Sequence, residues 1–143
     1  MRAFAATSRA TRRQLEALLG KQISSDMLQG VWQHLGDADP WIRYAARNVL
    51  ERHPVSTWQR RALTEERRLV ALTALTSLAR SEQPQLASQI LARLNALDMR
   101  GATPRERLTL AYTYVRCLDL AGRLEPDLTK SIQDRLLALY PDT

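Results

Sequence analysis

A chain of 143 residues, 45% hydrophobic and 25% charged, can bury one sizeable core and is too short to divide into two. Its single cysteine, Cys117, excludes an internal disulfide and a multi-thiolate metal centre, and the sparse Gly and Pro among many Leu, Ala, Arg and Gln favour helix. The net charge of +6 belongs to the first half: residues 1–80 carry 13 Lys+Arg against 7 Asp+Glu, whereas residues 81–143 carry 8 against 8.

The opening stretch MRAFAATSRATRRQ has arginines but no apolar run long enough for a signal peptide, and nothing later reaches the length of a membrane span. Thr11 followed by Gln14 has the pattern of a capping box and predicts a short helix over 12–19. Leu28, Val31, Trp32 and Leu35 then step by three and four, which predicts a helix over 25–35 that stops at Gly36. Asp39 is placed to cap the next helix and Pro40 to open it. Ile42, Ala45, Ala46, Val49 and Leu50 form its inner face over 40–52, and His53-Pro54 end it.

Ser56 with Gln59 repeats the capping pattern and predicts a helix over 56–63. Another is expected over 65–80, with Glu65 and Glu66 in its first turn and Ala71, Leu72, Leu75, Leu78 and Ala79 buried. Ile90, Leu91, Leu94 and Leu97 mark 85–97, after Pro84. Thr103, Pro104 and Glu106 combine a capping box with proline at the first helical position and open a helix over 104–121. Its expected inner face is Leu108, Ala111, Tyr112, Val115 and Leu118, and Gly122 ends it. Leu128, Ile132, Leu136 and Leu139 predict a final helix over 125–139. No segment alternates with period two, so no sheet is expected.

Short connections group these helices into pairs: 25–35 with 40–52, 56–63 with 65–80, and 85–97 with 104–121, leaving 125–139 as a half pair and 12–19 as a cap. One amphipathic hairpin cannot hide its own apolar stripe, whereas hairpins stacked side by side make a continuous core. The expected architecture is therefore all-α, a right-handed α-solenoid of antiparallel helical hairpins forming one domain over 1–143.

The run Leu35-Gly36-Asp37-Ala38-Asp39-Pro40-Trp41-Ile42-Arg43, followed by Tyr44-Ala45-Ala46-Arg47, resembles a HEAT repeat. In that family the turn between helices reads Leu-x-Asp-x-Asp-Pro-x-(Val/Ile)-Arg and small residues follow. The resemblance implies a ladder in which the aspartate at Asp37 pairs with the arginine at Arg43, with Asp39 as the helix cap. A carboxylate there meets both the helix dipole and a guanidinium fork. More narrowly, RYAARNVLERHPVSTWQRRAL and RLTLAYTYVRCLDLAGRLEPDLTKSIQDRLLALYP look like the HEAT-type region of large exported proteins of Planctomycetes and Verrucomicrobia, which often carry cytochrome c or propeller dehydrogenase modules. The likeness covers residues 25–143, although only the 35–47 turn is specific. It implies a segment of a longer, exported or periplasmic parent; without such a parent the expected compartment is cytoplasmic. The chain has no Cys-x-x-Cys-His haem attachment site. Its closing Leu139-Tyr140-Pro141-Asp142-Thr143, directly after an apolar helix, also fits an excised segment.

Chemistry-bearing residues have structural accounts. His34 and His53 fall near predicted helix C-termini, where imidazole suits the negative end of the dipole, and two histidines with one distant cysteine give no zinc spacing. Glu65-Glu66, Asp37 and Asp39 are explained by helix starts. Neither a Gly-x-Ser-x-Gly elbow nor a glycine-rich phosphate loop is present, and Cys117 lies within an apolar helix. No catalytic residue, metal ligand or cofactor is expected.

Trp32, Trp41, Trp58 and Tyr44 crowd the first half and are expected in packing between the first two pairs. The alternative is a partner surface in which Trp41 or Trp58 is an anchor beside Arg47, Arg60 and Arg61. Arg9, Arg12, Arg13, Arg43, Arg47, Arg52, Arg60, Arg61, Arg67 and Arg68 could instead line a groove for DNA phosphates, as in alkyl-base glycosylases of HEAT-like architecture. Asp37, Glu51, Glu65 and Glu66 are interleaved with them and offset part of that field. The expected function is a non-catalytic scaffold contacting a protein partner or neighbouring domains of the parent, with DNA binding as the alternative.

Overall fold

Good helix formers punctuated by proline and hydroxyl residues give, in the computed structural model, eight α-helices and no strand among the described residues, 2–141. Met1, Asp142 and Thr143, part of the one-domain reading and of the closing stretch, lie outside them. The helices are α1 (Arg2–Glu16), α2 (Ser25–Gln33), α3 (Pro40–Glu51), α4 (Gln59–Thr64), α5 (Arg68–Arg80), α6 (Ala87–Ala96), α7 (Pro104–Ala121) and α8 (Pro126–Leu139).

Several starts follow the local chemistry expected of them. Asp39 Oδ1 accepts from Trp41 N at 2.9 Å at the head of α3, and Ser24 Oγ, a cap not singled out from the sequence, accepts from Met27 N at 3.2 Å at the head of α2. Thr103 and Glu106 make the reciprocal capping box of α7, with bonds of 2.9 and 3.1 Å and Pro104 just inside.

Three expected starts are corrected. Thr11 caps nothing: it lies inside α1, where its hydroxyl donates to Thr7 O at 3.0 Å. The preceding alanine-rich run contains no breaker, so the helix extends through the capping pattern. Ser56 falls in a 3-10 turn over Val55–Thr57, and α4 begins at Gln59 without a side-chain cap. Helix α5 begins at Arg68, which leaves Glu65 and Glu66 in the preceding loop.

The core runs through every pair. Trp32 and Leu35 are fully buried beside Ala46, Val49 and Leu50 of α3 and Ala71, Leu72 and Leu75 of α5. Helix α5 is the centre, in contact with α3, α4, α6 and α7. Helices α3, α5 and α7 pack in succession, and α4, α6 and α8 do so as well, while α1 lies on α3. Close approach at the α2–α3 turn requires glycine: a Cβ on Gly36 would lie 2.6 Å from Val70 Cγ2 of α5.

The inner face of α7 differs from the one expected. Leu110, Thr113, Tyr114 and Cys117 are buried, whereas Leu108, Tyr112, Val115 and Leu118 are exposed. Both stripes recur at helical spacing, so periodicity alone does not choose between them. What decides is the pairing of α7 with α5 and α6, seen in the Thr76–Thr113 hydroxyl contact at 2.8 Å and in the Tyr114 hydroxyl donating to Asn95 Oδ1 at 2.5 Å.

Candidate functional site

The α2–α3 turn gathers Asp37, Asp39 and Arg43, but not as a carboxylate–guanidinium pair. Arg43 Nη1 donates to the main-chain carbonyls of Asp37, at 2.5 Å, and Ala38, at 3.2 Å. The Asp37 carboxylate instead accepts from Asp39 N at 2.9 Å and lies 3.5 Å from His34 Nδ1. The physical reason is local. The carbonyls of Asp37 and Ala38 lie within reach of the guanidinium, and the carboxylate of Asp37 folds onto the backbone of its own turn, as short acidic side chains do.

Beside that turn opens a cavity of about 420 Å³, crossing α3, α5 and α7. Arg43 and Arg47 of α3 face Arg105 of α7 across it, with Tyr44 on the rim and the Thr73 and Thr109 hydroxyls along the walls. Burial, and after it the positive charge of Arg105, pull the Arg43 pKa below its ordinary value. Arg47 stacks over the Tyr44 ring at 5.4 Å and places Nε 3.5 Å from Glu51, where that buried N–H makes no hydrogen bond. The acidic residue in the wall, Glu106, is already engaged by Arg68 Nε at 3.0 Å and by Thr103 N.

The other expected surface residues are dispersed. Trp41 is 64% exposed, but Trp58 is only 1% exposed, with its indole N–H donating to His53 O at 3.3 Å, so Trp58 is a core residue and not an anchor. Arg60 and Arg61 belong to α4 and do not line the cleft; Arg61 lies over the ring of Trp32 at 4.8 Å. Arg60 and Arg61 therefore do not share the cleft of Arg43 and Arg47.

Glu65, expected as a helix-dipole carboxylate, is a junction. Its Oε2 accepts from Trp32 Nε1 at 2.9 Å, its Oε1 from Arg67 Nε at 2.9 Å, and its main-chain carbonyl from Arg93 at 2.6 Å. The Arg67 hydrogen bond, with Trp32 assisting, holds the carboxyl at about 2 against the opposing effect of burial. Cys117 is fully buried and burial pushes its thiol up to about 12. Among the described residues no three His, Cys, Asp or Glu side chains gather as metal ligands, and no helix is long and apolar enough to cross a membrane.

At the far end of the molecule, Ala111, Val115 and Leu118 of α7 and Leu136, Leu137 and Tyr140 at the end of α8 line an open apolar groove of about 320 Å³. Val115 is 67% and Leu137 64% exposed in its lining. This surface was hidden from sequence reasoning by its own amphipathic spacing, which reads as core. Arg105 was missed for a different reason: its meeting with Arg43 is a long-range contact that no local pattern announces. No family model, curated protein or solved structure matches the chain.

Proposed function

We propose that the chain is a HEAT-like stack of antiparallel hairpins, a right-handed α-solenoid, that works as a non-catalytic scaffold and receives an amphipathic helix of a protein partner at its α7–α8 end. The observation that carries this is the apolar groove there, because contiguous exposed apolar surface marks interaction sites. The stacking of the molecule itself supplies the occupant. Helix α7 lies against α5 and α6, and one step along the same succession α7 and α8 present the next such seat.

The turn resembling a HEAT repeat supports the same architecture, as do the two successions of helices. The DNA-binding alternative has less support, since Arg60 and Arg61 stand apart from Arg43 and Arg47 and several guanidiniums are already paired with Glu51, Glu65 and Glu106.

A peptide of residues 104–121, labelled with fluorescein, carries the stripe that fills the equivalent internal seat and is the natural probe. It should bind the intact chain, and Val115→Arg or Leu137→Arg should weaken binding at least about tenfold, the effect of forcing a charge into an apolar contact. Absence of binding, or binding indifferent to both substitutions, refutes the proposal.

A further inference from the structure

The cleft across α3, α5 and α7 has features that the packing of the helices does not require. Two guanidiniums, Arg43 and Arg105, stand on opposite walls with like charge, and a third, Arg47, stands beside them. Like charges facing one another repel, and an anion shared between them relieves the repulsion. Within the protein their donors are under-used. Arg43 spends only Nη1, on two carbonyls, so its Nε–H and Nη2 donors lack a protein acceptor. Arg105 is exposed in the cleft wall, with no side-chain hydrogen bond or ion pair among the described residues, and Arg47 Nε is buried without a hydrogen bond. Glu106, with Asp37 and Asp39, offsets part of the repulsion on Arg43, but it offers no free oxygen to the cleft, because both are taken by Arg68 and by the head of its own helix.

We infer that this cleft is a binding site for an acidic peptide segment, whose carboxylate is clamped between Arg43 and Arg105 while its neighbouring apolar side chains lie against Pro40, Tyr44 and Leu69. The walls favour a peptide over other anions. Ala38, Pro40, Leu69 and the Tyr44 ring make an apolar lining, and hydroxyls of Thr73 and Thr109 can serve a peptide backbone. A nucleic acid backbone needs a long row of cations. Here only three converge, and Asp37, Asp39 and Glu51 stand close around them. The guanidinium fork matches a carboxylate with paired bonds, which lysine would not do.

The test uses the intact chain and a fluorescein-labelled octapeptide of glutamate and leucine, followed by anisotropy in about 50 mM salt, with glutamine in place of every glutamate as the control. The acidic peptide is expected to bind at least about tenfold more tightly than the control, and Arg105→Ala to remove most of that difference. Arg105 is exposed, so the variant should keep its melting temperature. Arg60→Ala with Arg61→Ala should leave binding unchanged. Equal binding of the glutamine peptide overturns the inference, and so does a loss at Arg60 and Arg61 as large as at Arg105, which would mean a diffuse basic field. Tighter binding of a DNA duplex, weakened by the same Arg105 substitution, overturns it in favour of phosphate. Val115→Arg should not alter this binding, which separates it from the α7–α8 groove.

Discussion

Removing the Glu65 side chain should unfasten the loop between α4 and α5 from α2. The Trp32 indole is fully buried and its N–H has Glu65 Oε2 as acceptor at 2.9 Å. Glu65→Ala leaves that donor without a partner, a loss of about 1–3 kcal/mol, and the ion pair to Arg67 adds only about 0–1 kcal/mol because the Arg67 side chain is 59% exposed. The total, about 1–4 kcal/mol, should lower Tm by roughly 3–15 °C in a domain of this size.

Glu65→Gln isolates the charge, because the amide oxygen can still accept from Trp32. The folded carboxyl is held at about 2 against an ordinary value of 4.5, so the folded state favours the ionised form. This stabilisation is fully present above about pH 4.5 and is lost as pH falls through 4.5 towards 2. Discounted for the exposure of Arg67, it amounts to about 1 kcal/mol at pH 7. Urea unfolding followed by circular dichroism at pH 7, 5 and 3 should show the wild-type advantage over Glu65→Gln shrinking to less than half at pH 3. Equal stability of the two proteins at pH 7, or a difference that does not change with pH, refutes the reasoning.

Gly36→Ala should destabilise the fold by about 1–3 kcal/mol, since the new methyl would meet Val70 Cγ2 at 2.6 Å; Val70→Ala in the same chain should restore part of the loss, read by thermal melts. Arg43→Ala removes the donor serving the Asp37 and Ala38 carbonyls and should cost about 1–3 kcal/mol by urea titration; an unchanged midpoint would mean that solvent serves those carbonyls equally well. Thr103→Ala removes the hydroxyl that accepts from Glu106 N, one half of the α7 capping box, and should cost about 1 kcal/mol by the same titration. Cys117 should react with an aromatic disulfide reagent at pH 8 orders of magnitude more slowly in the native protein than in denaturant, and a fast native reaction would contradict its burial.

Fold class was legible because its signals are local. The Asp39-Pro40 and Thr103-Pro104 starts, and the stripes of α3, α5 and α6, depend on nothing beyond a few neighbouring residues. Local signals also misled where several solutions shared one pattern. Thr11-x-x-Gln14 looks like a helix start only if the residues before it are not helical, and they are. The α7 stripes differ only in what lies opposite them, which is a tertiary fact. The candidate sites were less legible for the same reason. Arg43 and Arg47 could be named from the turn, but their partner Arg105 comes from another helix, and Trp58 could not be told from Trp41 until the packing of its indole was known.

Helix α5 has nine buried residues among its thirteen, including the hydroxyls of Thr76 and Ser77, and neighbours on several sides. A strand of beads can shed its last bead, but an arch cannot lose its keystone and stand. Fraying of α1 or α8 can therefore occur without general collapse, whereas any opening that frees the amides of α5 must open nearly everything else. The slowest-exchanging backbone protons should cluster between Val70 and Ala79, and their exchange should report the global unfolding equilibrium.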